Sequence, residues 1–277
     1  RIIRRPGSHT GHLMAGLATL GLLVPATLGV NHWPQVDQSA NRAAETMWQP
    51  ILARPLPSGA VLVTNDRDEM MPLWYYQYVE GRRADLLGLF PGIAAEPAYA
   101  DLGGVVDVAL ASARPVYLIK PMPGVEVKAR LEETPDLSPL VRVVGAAVTS
   151  PPPYPLDAPL GESLRLVGYD LAPPSPQRGE TLTVTLYWRP TGRLERDYSS
   201  FVHILGADGV ALGQSDHRPG GVYYPTSLWK PGETLRDAHR VALPEVATLD
   251  RLRLRVGMYA YPSMESPGPP IEVEVGE

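Results

Sequence analysis

The chain has 277 residues, of which 44% are hydrophobic and 20% charged, so it can form a packed core in one large domain or two of ordinary size. The formal net charge is −5 and no Lys/Arg-rich run follows the N-terminal segment, which argues against a nucleic-acid partner. The absence of cysteine excludes disulfides, zinc–thiolate sites and cysteine nucleophiles. The 31 prolines are clustered and not periodic, which favours a β-rich architecture with rigid connections.

The N-terminal segment carries an apolar run, residues 13–30, without a single charge. Arg1, Arg4 and Arg5 precede the run and Trp33 follows it. This pattern predicts a membrane helix within residues 1–37, with membrane lipid around it and the residues after about 33 outside the cytoplasm. A signal peptide and a soluble core helix are the alternatives, although the run lacks a good cleavage site and an amphipathic continuation.

Residues 38–150 alternate between helical and extended patterns, which is typical of a small parallel α/β domain. Helices are predicted at residues 40–53, 70–81 and 95–113. Apolar runs predict buried strands at residues 59–65, 84–90 and 115–120, with edge strands at residues 125–133 and 140–148.

An acidic turn follows the first of these strands and is a candidate binding site. Asn65, Asp66 and Asp68 lie where ligands bind in open α/β sheets, at the carboxyl end of a strand and before a helix N-terminus. One interpretation is a cation or polar ligand. The other is structural: Asp66 or Asp68 caps the helix and Asn65 closes the turn.

A proline-rich stretch, residues 151–162, is predicted to link this domain to a second one at residues 163–277. There the pattern changes to a period of two residues, with Asp208-Gly209 as a hairpin turn. The alternation predicts an antiparallel β-sandwich, of jelly-roll or immunoglobulin-like type.

The sandwich contains aromatic residues that are candidates for sugar stacking. Tyr223, Tyr224 and Trp229 could bind a glycan, or they could cover one edge of the sandwich as packing residues. Asp216 and His217 form at most a metal pair, which is a weak signal, so no metal site and no cofactor are predicted. No nucleophile motif or phosphate-binding loop is present, and no catalytic residue is assigned.

Residues 41–86 resemble a known family. Asn41-Arg42, the stretch "PSGAVLVTNDRDEMMPLWYYQ" and "VEGRRAD" are similar to the segment after the last membrane helix in bacterial multi-pass proteins related to the protein O-mannosyltransferases. The family pattern has a glycine and an asparagine around the acidic turn, where this chain has Asn65-Asp66-Arg67-Asp68. The sandwich is similar, more weakly, to accessory domains appended to such transferases.

The resemblance implies a function for a larger parent protein, which is also expected because the chain begins at Arg1. Such proteins transfer a sugar from a polyprenyl-phosphate donor to an acceptor outside the cytoplasm, and their catalytic loop has no counterpart here. We therefore expect a non-catalytic accessory region that meets the donor or a glycan acceptor. The alternative is a membrane-anchored carbohydrate-binding module without enzymatic activity.

Overall fold

The computed structural model describes residues 9–245 and 251–275, with side chains from residue 23 onward and at residue 21. The chain divides into two units, Arg1–Thr46 and Met47–Glu277. The first unit contains helix α1 (His9–Val36), which covers the predicted membrane segment. Within the described part of the chain, however, no helix has the length and apolarity that crossing a membrane requires. The predicted membrane helix stays a prediction.

The second unit begins with an α/β layer built on a mixed sheet. Its helices are α2 (Ala43–Ala53), whose first four residues belong to the first unit, α3 (Arg67–Tyr78) and α4 (Leu102–Ala111). Its strands are β1 (Val61–Val63), β2 (Leu87–Leu89), β3 (Val116–Leu118), β4 (Ala129–Glu133) and β5 (Val141–Ala146), in the order β2-β1-β3-β5-β4. β1 pairs in parallel with β2 and β3, as predicted, whereas β5 is antiparallel to both β3 and β4, so the sheet is mixed.

Both faces of this sheet are covered, which explains why β1 is a continuous apolar run. On one face, Leu62 packs with Trp48 of α2 and Leu73 of α3. On the other face, Val61 packs with Val105 of α4. Successive side chains of a strand point to opposite faces, so a strand buried on both sides needs apolar residues at every position.

The remainder of the second unit is an antiparallel β-sandwich, as predicted. One sheet has the order β10-β9-β12-β13 and the other β11-β8-β7-β6. The strands are β6 (Tyr154–Pro159), β7 (Leu164–Ala172), β8 (Thr181–Pro190), β9 (Ser199–Leu205), β10 (Ala211–His217), β11 (Leu235–Ala242), β12 (Arg253–Tyr259) and β13 (Ile271–Glu274). Inward residues of both sheets form one core, and the proline-rich stretch supplies edge strand β6.

The α/β layer packs directly against the sandwich through residues that permit close approach. Val127, which precedes β4, belongs to the sandwich core. A Cβ on Gly103 of α4 would lie 2.2 Å from a ring carbon of Tyr224. Gly124 has a φ of 103°, and a Cβ there would lie 2.0 Å from the carbonyl oxygen of Gly220. Glycine at these positions lets helix and turn backbones contact the sandwich without steric overlap.

Candidate functional site

The acidic turn after β1 is a helix cap. Asp66 has extended backbone angles, and its carboxylate accepts a hydrogen bond of 2.8 Å from the backbone N–H of Asp68, which confirms the capping interpretation for Asp66. Asp68 is exposed and pairs with Arg67 at 3.0 Å, and Asn65 is exposed. Among the described residues, Asp66 and Asp68 belong to no group of three His, Cys, Asp or Glu side chains that is close enough together to hold a metal ion.

The adjoining carboxyl ends of β1 and β3 are occupied by an internal ion pair. Glu69 accepts a hydrogen bond of 2.5 Å from Thr64 and one from Lys120. The half-buried ring of Tyr223 lies under the Lys120 ammonium, 5.9 Å from its centroid. The crevice at the carboxyl ends of the parallel strands is therefore bridged by the protein's own side chains.

The other two aromatic candidates are buried. Tyr224 is 1% exposed and Trp229 is 2% exposed, so neither ring has a free face on which a sugar could stack. The Trp229 Nε1–H donates to the carbonyl oxygen of Tyr224 at 3.2 Å, and the Tyr224 hydroxyl donates to Glu233 at 2.6 Å. Burial, followed by the Glu233 carboxylate, raises the pKa of the Tyr224 phenol far above its ordinary value, so it remains a donor. Both aromatic residues belong to the sandwich core, and Tyr224 also packs against α4 at Gly103.

A cleft of about 1040 Å³ lies between α4 and the outer face of the β6–β7–β8 sheet. Its apolar wall comes from α4, the end of β5 and the outer face of the sandwich: Val106, Leu110, Val148, Leu156 and Val167. Hydroxyl groups and charges line the rest: Thr149, Ser150, Thr191, Thr234, Asp107, Asp157, Glu233, Lys128, Lys230, Arg165 and Arg189. Apolar walls with converging polar groups are typical of small-ligand sites.

A buried lysine lies at one side of this cleft. The Lys128 side chain is 10% exposed, and its Nζ lies 2.7 Å from Glu233 and 3.1 Å from Asp107. Burial lowers the pKa of Lys128, but the hydrogen bond to Glu233 and the charges of Glu233 and Asp107 outweigh burial and raise it. The lysine is thus a fixed cation. Since Glu233 is committed to the lysine through one oxygen and to Tyr224 and the Lys230 N–H through the other, it is not placed as a free general acid or base.

Two arginines stand side by side on the sandwich wall of the cleft. Arg165 of β7 and Arg189 of β8 are directly opposite each other in the antiparallel register. Arg165 is held by the Asp157 carboxylate. Arg189 is exposed and donates two hydrogen bonds, of 3.2 and 3.0 Å, to the Thr234 hydroxyl, and it has no ion-pair partner among the described residues. Like charges directly opposite in a sheet are destabilising unless a counter-charge is supplied.

A second polar cluster lies inside the sandwich, where β10 and β11 meet. Asp237 and His239 are both fully buried, and His217 is 37% exposed. The Asp237 carboxylate lies 2.7 Å from His217 Nε2 and 3.2 Å from His239 Nε2. Burial alone would raise the pKa of Asp237, but the hydrogen bonds and charges of the two histidines outweigh it and lower the pKa. Of the weak pair predicted from sequence, His217 belongs to this cluster and Asp216 does not.

The sequence contained partial signals for the buried histidine–aspartate cluster and for the arginine pair. In β11 the inward positions Leu235, Asp237, His239 and Val241 alternate with exposed residues, so two polar residues occupied core positions of a predicted strand. Arg165 and Arg189 were visible as outward residues of strands, but their pairing depends on the register between β7 and β8. Lys128 and Glu233 are 105 residues apart, and no local pattern connects them.

Comparison with known proteins gives no family assignment. No family model matches the chain, and no curated protein matches it. Among solved structures, the chain is similar to a β-glucuronidase from glycoside hydrolase family 2, with a TM-score of 0.25 and 10% sequence identity. That match covers 44% of this chain and 10% of the glucuronidase chain. A likeness of this size carries no argument about fold or function.

Proposed function

We propose that the second unit is a non-catalytic binding module for acidic glycans, with the cleft between α4 and the β6–β7–β8 sheet as its ligand site. The observation that carries the proposal is the cross-strand pair of Arg165 and Arg189, which places two guanidinium groups on one wall with Asp157 as their one countercharge among the described residues. A carboxylate or phosphate group on the ligand would supply the missing negative charge. Arginine suits this purpose because its planar fork binds such groups through two parallel hydrogen bonds.

The rest of the cleft fits a carbohydrate. Thr191, Thr234 and Ser150 offer hydroxyl groups to pair with sugar hydroxyls, and Leu110 and Leu156 offer apolar surface to the C–H faces of a ring. The four cations of the lining outnumber its three carboxylates, which favours an acidic sugar over a neutral one. This identification of the ligand as carbohydrate also draws on the resemblance to sugar transferases.

The proposal describes binding without bond cleavage or transfer. Two cleft carboxylates, Asp107 and Glu233, both pair with Lys128, and the second oxygen of Glu233 accepts hydrogen bonds from Tyr224 and the Lys230 N–H. If the chain is part of a larger sugar transferase, as the resemblance implies, the module would hold a glycan acceptor or the sugar phosphate of a polyprenyl donor. If the parent lacks transferase activity, the same cleft would serve a surface-binding module.

Calorimetric titration of the full chain with matched ligand pairs tests the proposal. Oligogalacturonate and its neutral methyl ester differ in charge and by one methyl group per carboxyl group, and a sugar phosphate can be compared with the free sugar. We expect the acidic member of a pair to bind, with affinity that falls as salt rises. Arg189→Gln and Arg165→Gln should each weaken binding, by about tenfold or more for a lost charged hydrogen-bond pair of 1.5–3 kcal/mol.

Arg240→Gln is the matched control. Arg240 is also exposed and lies on β11 of the same sheet, but it does not line the cleft. Equal affinity for the acidic and neutral ligands would overturn the proposed preference for acidic glycans. Equal losses of affinity in Arg189→Gln and Arg240→Gln would overturn the cleft as the site.

A further inference from the structure

The buried cluster at the junction of β10 and β11 is unusual for the core of a sandwich. Asp237 and His239 occupy inward positions between Leu235 and Val241 and are fully buried. A charged group in such a place is costly unless it is paired or binds a metal ion. Neither residue contributes to the glycan cleft, so the proposed function does not account for them.

Neighbouring side chains fix the orientation of each group. The Trp188 indole N–H donates to Asp237 Oδ2 at 3.2 Å, which leaves Oδ1 directed at His217. Ser215 Oγ lies 3.3 Å from Nδ1 of His239. When that Nδ1 carries the proton and donates to Ser215, the lone pair of Nε2 is directed at Ser200 Oγ, 3.0 Å away, and at Asp237 Oδ2, 3.2 Å away. Histidine ligands of metals are held in this way, with the second nitrogen donating to a fixed acceptor.

We propose that His217, Asp237 and His239 form a binding site for a divalent transition-metal ion, with Zn²⁺ as the best match. One ligand atom from each residue lies within 4.8 Å of the other two. Around a tetrahedral zinc with bonds of 2.0–2.1 Å, neighbouring ligand atoms are roughly 3.3 Å apart. The Asp237 contacts, 2.7 Å from Oδ1 to His217 Nε2 and 3.2 Å from Oδ2 to His239 Nε2, are close to that spacing. Small side-chain shifts that bring one carboxylate oxygen near both imidazoles therefore admit an ion. Two imidazoles and a carboxylate suit zinc better than calcium or magnesium, which prefer all-oxygen sites.

A route to the site and room for a fourth ligand are both present. A cavity of about 280 Å³ reaches His217 and Asp237 and is lined by Glu126, Gly124 and Gly221. Water can occupy the fourth position from this side, as in zinc sites with three protein ligands. Since His217 is on β10 and the other two residues are on β11, the ion would join the edge strands of the two sheets.

Cobalt(II) titration followed by visible absorption tests the site directly, because tetrahedral Co²⁺ gives d–d bands that free aqueous Co²⁺ lacks. The full chain should carry His9→Ala and His12→Ala, which removes the other closely spaced histidine pair. We expect bands that saturate at about one ion per chain and disappear when Zn²⁺ is added. His217→Ala should weaken Co²⁺ binding by at least about tenfold to a hundredfold, the loss seen when even an outer partner of a ligand is removed.

Two control variants make the test decisive. His203→Ala removes a histidine of β9 outside the cluster, and Asp216→Asn removes the carboxylate adjacent to His217 in sequence. Both should leave the Co²⁺ bands and affinity unchanged. His217 is partly exposed, so its alanine variant should fold, and circular dichroism without metal checks this. The proposed site would be overturned if the chain with an intact cluster showed no Co²⁺ bands, or if His217→Ala left the titration unaltered. It would also be overturned if Asp216→Asn lost as much Co²⁺ affinity as His217→Ala.

Discussion

Replacing Lys128 by methionine should strongly destabilise the second unit. The lysine side chain is 10% exposed and contacts two carboxylates, Glu233 at 17% exposure and Asp107 at 52%. Breaking a buried pair by removing one partner costs about 3–5 kcal/mol. Asp107 can be hydrated once the lysine is removed, so the loss of its ion pair costs as much as the loss of a surface pair, up to about 1 kcal/mol. Glu233 keeps its hydrogen bonds from Tyr224 and the Lys230 N–H, which reduces its penalty. We therefore expect a loss of about 2–4 kcal/mol in the free energy of unfolding.

Urea denaturation monitored by tryptophan fluorescence measures this loss. Arg142→Met is the control, because Arg142 and Glu132 form an ion pair that is about half exposed on both sides, and its removal should cost about 0–1 kcal/mol. The double variant Lys128→Met/Glu233→Gln should be more stable than Lys128→Met alone, because glutamine removes the uncompensated charge. This prediction is wrong if Lys128→Met loses no more free energy of unfolding than Arg142→Met, or if the double variant is less stable than Lys128→Met. In either case the buried ion pairs of Lys128 do not hold the α/β layer and the sandwich together.

Three further changes test local features of the fold. Asp66→Ala should lower the free energy of unfolding by about 1 kcal/mol through loss of the helix cap, while Asp68→Ala should change it by less than about 0.5 kcal/mol in the same urea assay. Gly103→Ala should cost about 1–3 kcal/mol in thermal unfolding, because its Cβ would overlap the Tyr224 ring. Hydrogen bonds from Arg83 and from the Gly59 N–H lower the pKa of Asp85. The contribution of the Asp85 carboxylate to the free energy of unfolding is therefore present above pH 3.8 and is lost as pH falls below that value. The difference in the free energy of unfolding between the unchanged chain and Asp85→Asn should therefore shrink as pH falls below 3.8. A difference that stays constant with pH would contradict this.

The order of elements was predictable where a local pattern determines it. The apolar run of β1 and the Asp208-Gly209 hairpin between β9 and β10 both formed as predicted. The predicted helix over residues 95–113 is instead a 3₁₀ turn followed by α4. The break has a physical cause, because Asp101 turns its carboxylate onto the N–H of Gly104 and starts a new helix there. Similarly, β6 forms in a proline-rich stretch because it is an edge strand, where proline is tolerated.

The candidate sites depended on contacts that no local pattern encodes. Predicting the arginine pair requires the register of β7 against β8, which shifts at an irregularity between Leu166 and Gly168. Asp237 lies 20 residues from His217 and reaches it because the edges of two different sheets meet. Sequence reasoning instead selected Tyr224 and Trp229 for their chemistry as stacking residues, but the structure buries both. Residue type gave candidates for binding, whereas exposure decided which of them could meet a ligand.

The chain between His217 and Asp237 connects the two proposed sites. His217 and Asp237 at its ends belong to the metal cluster, while Lys230 and Glu233 within it line the glycan cleft. The two sites share no residue, so each can be removed without deleting a group of the other. Lys230 is the less restrained of the two, because its side chain is 39% exposed and its ammonium lies 3.8 and 3.9 Å from its carboxylate partners. A metal ion would fix both ends of this segment and thereby reduce the freedom of Lys230 before a glycan binds. Lower conformational freedom reduces the entropy cost of binding, so glycan affinity should rise when the metal site is filled.

Calorimetric titration with an acidic glycan in the presence of Zn²⁺ and of a chelator checks this. Because His217→Ala removes only the metal site, it should abolish the difference while leaving the affinity measured with chelator intact.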